Sequence, residues 1–344
     1  MCKERSLFSF AQSMMSILSL LCVVLLSIAF LPEKHVGRQH YHTTKERNDG
    51  LSSLPKKNDK ITSGDVHAVL ATIHTEISSI QVSHKQAHPS DDDSDEVVYL
   101  AAHGAIPGKP YNEYFGFVAT IDVYAYNISQ GQESSSSVWI VNLGDGSKER
   151  YNSIRVGWMV SPKLYGDSHT HFYTHWNGDG YDRSGCYNID CPGFQLEKGS
   201  NIAPGAIIAQ ASAASGASTT ITVKVFKEKS TGKWWVYCGI NNGVPTAVGY
   251  YPANLFAGLA TKADGIGFGG VSAARRSLPT PPMGNGFLPS ENAASISNLQ
   301  FVDQDGQSTP ISIDLPIVAD NPRCYYVSPI IGAKFFYGGP AGCF

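Results

Sequence analysis

The chain has 344 residues, 16% of them charged, and a formal net charge of −3. This balance carries no basic footprint and argues against nucleic acid as a partner. All five tryptophans fall between positions 139 and 235, so the core is expected in one C-terminal domain rather than in the two that length alone allows.

The chain opens on Met1-Cys2-Lys3-Glu4-Arg5 and then an apolar run from Met14 to Leu31, a targeting segment. Ser27-Ile28-Ala29 offers a small-x-small cleavage site, yet the eighteen mostly apolar residues also reach the lower edge of a bilayer span. Residues 1–32 are therefore a cleaved signal peptide or an uncleaved signal anchor. Either places the rest of the chain in a lumen or outside the cell, with membrane contact only through this segment.

Residues 33–60 are rich in Lys, His, Asn and Ser without apolar periodicity, which predicts disorder. Thr62-Ser63-Gly64-Asp65 fits a capping box, and Val66, Val69, Leu70, Ile73, Ile77 and Ile80 recur at helical spacing. An amphipathic helix of about four turns is expected there. The acidic run Asp91-Asp92-Asp93-Ser94-Asp95-Glu96 lacks the glycine and spaced ligands of a calcium loop and reads as a solvated linker closing the 33–96 region.

From Val97 onward the text is strand and turn. Residues 117–126, 138–143, 154–160, 169–176, 219–226 and 233–238 are β-branched and aromatic, and Gly, Asn, Asp and Pro separate them. Many short strands without long helices predict an all-β fold over 97–344, a large curved antiparallel β-sandwich. Asn127-Ile128-Ser129 is an N-glycosylation acceptor at a strand end before a Ser-rich turn. Outside the targeting segment lie Cys186, Cys191, Cys238, Cys324 and Cys343. In an oxidising compartment the first two can close a small loop and the last two can tie the C-terminal tail, which leaves Cys238 as a buried free thiol. A zinc finger is disfavoured by the spacing.

His169, His171 and His175 share one face of a strand because their spacing is even, but about 13 Å separates His171 from His175, too far for one metal ion. They are expected on a solvated stripe, with Thr170, Phe172, Thr174 and Trp176 on the core side. Of the adjacent Trp234 and Trp235, one should enter the core and one should face out. No phosphate loop, nucleophile elbow or Cys-His pair is present, and neither cofactor nor metal is expected.

The blocks V-G-W-M-V-S-P-x-L-Y-G-D, F-Y-T-H-W, S-G-C-Y-N-I-D-C-P-G-F, K-W-W and F-Y-G-G-P-A-G-C, in this order along roughly 97–344, resemble the neprosin family of plant glutamic endopeptidases. The resemblance implies a curved antiparallel sandwich, supports both cysteine pairings, and implies an inhibitory segment ahead of the domain. It also implies two catalytic glutamates, one in V-x-P-E-L-Y-G-D and one in W-G-G-E-V. Their positions here hold Lys163 and Val271. A glutamic peptidase needs one neutral and one ionised carboxyl facing a single cleft, which neither residue supplies. Asp167 and Glu291 are the other acids in the matching segments, and Asp167 is expected to cap a turn.

The cleft candidates are Tyr165, Asp167, Trp176, Trp234, Tyr250 and Glu291. The expected function is that of a secreted monomer, impaired as a peptidase, that binds an extended Pro-containing peptide or wall protein. An acid endopeptidase using other carboxylates, such as Asp167 with Glu291, is the alternative. A carbohydrate-binding module is a weaker one.

Overall fold

Residues 95–343 are described by a computed structural model, apart from 106–107, 109, 146–149, 181–184 and 213–218. The targeting segment, the helix expected near 62–80 and most of the acidic run lie outside the described residues. In chain order the strands are β1 (Glu96–Ala105), β2 (Gly116–Val123), β3 (Gln132–Asn142), β4 (Asn152–Val160), β5 (His171–Asn177), β6 (Gly185–Tyr187), β7 (Gln195–Leu196) and β8 (Thr219–Lys227). They continue with β9 (Trp234–Ile240), β10 (Thr246–Tyr251), β11 (Gly265–Arg275), β12 (Ala294–Val302), β13 (Ser308–Pro310), β14 (Ile317–Ala319), β15 (Tyr326–Val327) and β16 (Phe335–Gly338). One α-helical turn, α1 (Pro162–Tyr165), joins β4 to β5.

Two antiparallel sheets result. The seven-stranded sheet has the order β14-β1-β11-β3-β4-β5-β6, and the nine-stranded sheet the order β15-β16-β12-β2-β8-β9-β10-β7 with β13 on β12. The two stack as the expected sandwich, because period-two alternation gives each central strand one apolar face. In β4 the residues Ile154, Val156, Trp158 and Val160 enter the shared core, where they meet Ile221, Val223 and Val225 of β8 and Trp234 and Val236 of β9. Each such side chain removed from water contributes about 1.5–3 kcal/mol. Two indoles of the core find acceptors: Trp158 Nε1 donates to Asp122 O at 2.8 Å and Trp234 Nε1 to Leu259 O at 2.8 Å.

All six segments read as strands contain strands, but two features differ from expectation. Ser134–Ser137 is not a turn. It lies inside β3, fully buried, between β11 and β4. Small side chains fit that crowded position, and two of the hydroxyls find carbonyls: Ser134 Oγ donates to Pro282 O at 2.8 Å and Ser136 Oγ to Gly269 O at 3.1 Å. The second is β11, whose four glycines hide a central strand behind a poor strand composition. A Cβ at Gly269 would strike the backbone and side chain of Ala101 and Ala102 on β1, so close approach demands glycine there.

Cys186–Cys191 and Cys324–Cys343 are disulfides, and Cys238 is a buried free thiol whose pKa burial pushes up to about 12. Among the described residues no helix is long and apolar enough to cross a membrane.

Candidate functional site

Residues of alternate parity to the core row point to the outer face of the seven-stranded sheet. Strand register sets them in rows. Gly267, Trp139, Arg155, His175 and Tyr187 form one row across β11, β3, β4, β5 and β6. Gly269, Ser137, Gly157 and Tyr173 form the next, and Val271, Ser135, Met159 and His171 the third. In the middle row Gly269, Ser137 and Gly157 are small, and Tyr173 closes it on β5. Apolar members of this face make two clusters of their own, one around Val271, Trp139 and Leu100 and one around Met159, Tyr173 and Tyr187. Both are built only from this sheet and its flanking turns.

Arg155 is 1% exposed, with its guanidinium carbon 5.6 Å from the Trp139 ring centroid and 5.7 Å from that of Tyr173. Two π faces partly offset the desolvation of the cation. Toward the far end of β3 stands Glu133. Burial raises its carboxyl above the ordinary value, against the opposing pull of Arg155, a hydrogen bond with Ser161, and Lys163. A small cavity beside it is lined by Glu96, Gln132, Glu133, Ser161, Lys163 and Tyr187.

Lys163 reaches that cavity because α1 is a single turn with Pro162 at its start and Gly166 at its end. Gly166 adopts φ 77°, and its N–H donates to Pro162 O at 2.9 Å, which closes the turn. Val271 is fully buried, opposite Leu100 and Ser135 in register.

Beyond α1, Asp167 makes the turn cap expected of it: its Oδ1 accepts the His169 N–H at 2.8 Å and lies 3.0 Å from His171 Nε2. Partial burial raises the Asp167 pKa, but the His171 and His169 bonds and charges outweigh that and hold it below the usual carboxylate range. The other ring nitrogen of His171 lies 2.7 Å from Gly205 O, and Tyr165 stacks on its ring at 3.7 Å. The histidine stripe is therefore not solvated as expected. His169 is exposed, but His171 and His175 are buried, because the outer face of β5 is itself walled by Tyr165 and Tyr187.

The six cleft candidates are not brought together. Tyr165 and Asp167 flank the outer face. Trp176 and Trp234 are buried in the core between the sheets, and the outward member of the tryptophan pair is Trp235, 4.9 Å from Tyr250 on the nine-stranded sheet. Glu291 is exposed in the turn that leads into β12 of the nine-stranded sheet, whereas Asp167 lies in the turn that leads into β5 of the seven-stranded sheet. Conversely, the reading of the sequence passed over Arg155, Trp139, Ser135 and Glu133. The signal for Arg155 was present: a lone cation inside Ile154-Arg155-Val156-Gly157-Trp158, a run with no other charge, is a buried charge in a strand covered on both faces.

A family profile described as Neprosin matches residues 130–340. Among solved structures, the chain is similar to a crystal structure of Scytalido-glutamic peptidase with a peptide-based transition state analog, at TM-score 0.37 and 10% identity over 71% of this chain and 99% of that one. It is also similar to SCP-B, a member of the Eqolisin family of peptidases in complex with the tripeptide Ala-Ile-His, at TM-score 0.35 and 9% identity over 71% of this chain and 99% of that one. The profile spans more than half of the 344 residues and takes in β3, β4, α1, β5 and β11, which build the outer face, and the chain therefore belongs to the neprosin family.

Proposed function

We propose that this peptidase-related protein is secreted, has lost the acid chemistry of glutamic peptidases, and uses the outer face of the seven-stranded sheet to bind an extended, Pro-containing peptide or wall protein. The observation that carries this reading is Val271, a fully buried aliphatic side chain in an apolar cluster at one of the two expected acid positions. Lys163 at the other is a cation, and neither residue activates water or protonates a leaving amine. Gly269, Ser137 and Gly157 give this face a row of small residues between the row of Trp139 and Arg155 and the row of Val271 and Met159. Two disulfides support an oxidising destination for the chain. Residues 33–96 are read as a propeptide-like region ahead of the sandwich domain.

A second reading, an active acid peptidase with other carboxylates, draws on Glu133. Its raised carboxyl shares a cavity with Glu96, so two acids reach one space. One experiment separates the readings. The protein is incubated with a Pro-rich protein substrate from about pH 2.5 to about pH 7, beside Glu133→Gln and the double variant Lys163→Glu with Val271→Glu. The binder reading expects cleavage from the double variant alone. Cleavage by the natural chain that is lost in Glu133→Gln would replace it with the second reading.

A further inference from the structure

The nine-stranded sheet carries a row of aromatic rings on the face turned away from the core. Phe226 of β8 pairs with Trp235 of β9, and Trp235 pairs with Tyr250 of β10, so the three side chains share one face on adjacent strands. Tyr237 stands in the next row of the same face. The ring centroids of Trp235 and Tyr250 are 4.9 Å apart and those of Trp235 and Tyr237 6.2 Å, and all four rings are partly exposed. Val225, Trp234, Val236 and Tyr251 alternate with them and fill the core, which fixes the strands beneath the rings. An aromatic patch on the water side of a packed sheet marks a binding site.

The polar groups around the rings select the guest. Trp235 Nε1 donates to Glu228 Oε2 at 3.5 Å, and the charges of Glu228 and Glu197 both act on the Tyr237 hydroxyl. Lys233 Nζ lies 4.2 Å from the Tyr250 ring centroid and Lys224 Nζ 5.2 Å from that of Phe226. Two ammonium groups and two carboxylates leave the patch without net charge, so it complements a neutral guest. The carboxylates only accept and the ammonium groups only donate, so that guest must do both. A sugar hydroxyl does both, whereas a proline ring has no donor for either carboxylate. The C–H face of a sugar ring stacks on an aromatic ring, and both lysines are long enough to turn from the π faces to its hydroxyls. Tilts of 49° between Trp235 and Tyr250 and 41° between Trp235 and Tyr237 follow the twist of a sheet and suit a single twisted chain rather than a flat crystallite.

We infer that Trp235, Tyr250 and Tyr237, with Phe226, Glu228 and Lys233, form a platform that binds a neutral polysaccharide chain. Trp235, in the middle of the row, is the principal stacking partner, and Glu228 and Lys233 hold hydroxyls at the rim. This goes beyond the peptide reading and does not rest on it, because the platform and the proposed peptide face belong to different sheets.

The test is affinity electrophoresis of the full chain in native gels cast with xyloglucan, galactomannan or hydroxyethyl cellulose as neutral chains, beside polygalacturonate and chitosan as charged ones. At least one neutral gel should retard the natural protein, and neither charged polymer should match it. Trp235→Ala should weaken that binding about tenfold or more, as truncation of a central aromatic anchor does, and Glu228→Gln should weaken it less. Near-ultraviolet circular dichroism checks the packing of each variant, and should Trp235→Ala fail to fold, Tyr250→Ala carries the comparison. A Pro-containing peptide added to the gel should leave the retardation unchanged. No retardation in any neutral gel, retardation by a charged polymer alone, or retardation that survives in the folded variants overturns the platform. Retardation abolished by the peptide overturns it too, and would assign these rings to peptide instead.

Discussion

Asp167 Oδ1 lies 3.0 Å from His171 Nε2 and accepts the backbone N–H of His169 at 2.8 Å. One oxygen thus closes a turn and orients a buried imidazole. The acid that resembled a spare catalytic group is held by its neighbours below the usual carboxylate range, where it is a poor proton donor.

That relationship fixes the sign of a pH effect. A carboxyl whose folded pKa is depressed contributes stability above its unfolded value of about 3.9, and the contribution is lost as pH falls through the folded value. Asp167→Asn keeps an oxygen for the turn and removes the charge. The variant should melt slightly lower than the natural chain near pH 6, by less than about 1 kcal/mol because the side chain is 37% exposed. Thermal melts at that pH and below about pH 3, where the difference should vanish, decide it. Identical melts at both would show that the charge contributes nothing.

Glu133 runs the other way. Burial raises its carboxyl, so the protonated form is favoured in the folded chain, and the stability this provides is present below the ordinary glutamate value of about 4.3 and is lost as pH rises through the folded value. Glu133→Gln keeps the shape without the charge. It should therefore raise the melting temperature at neutral pH and leave it unchanged in acid. A neutral-pH loss of stability would mean that Arg155 and Lys163 more than offset the desolvation.

The two disulfides should differ in weight. Cys324–Cys343 spans 19 residues and Cys186–Cys191 spans 5. Loop-closure entropy assigns about 3 kcal/mol to the longer loop and about 2 kcal/mol to the shorter. Paired Cys→Ser replacements, compared by chemical denaturation, should rank in that order; the reverse would place the main effect in native-state packing around Cys186 and Cys191.

The sandwich was legible because alternation survives in nearly every strand: Ile154, Val156, Trp158 and Val160 announce one face of β4 without help from any other element. β11 was not, since a strand interior of glycines is chosen by its neighbours, Ala101 and Ala102 on one side and the Trp139 ring on the other, and these become neighbours only after folding. The serine run misled for the same reason. Ser134–Ser137 is turn-like in composition and becomes the middle of β3 because the flanking strands leave space only for small side chains. Site residues suffered most. Matching text pointed to Lys163 and Val271, but the partners that give those positions meaning, Glu133 and Ser135, sit some thirty residues or more away from one or the other in sequence and meet them only across the sheet.

Val271 offers the sharpest test of the proposed loss of acid chemistry. It is fully buried among Val98, Leu100, Trp139 and Ala273, so a carboxylate introduced there by Val271→Glu would be desolvated on arrival. Its pKa should rise, and the folded chain should tolerate it as the neutral acid, with Ser135 across the register as a hydrogen-bond partner. The variant's stability should then approach that of the natural chain below about pH 4 and fall by about 3–5 kcal/mol toward neutrality, as expected for an uncompensated buried charge. A melting temperature that runs parallel to the natural chain at every pH would mean that Arg155 already reaches this position and neutralises the new charge, which would bring the cationic row within one ion pair of the position where the sequence resemblance expects an acid.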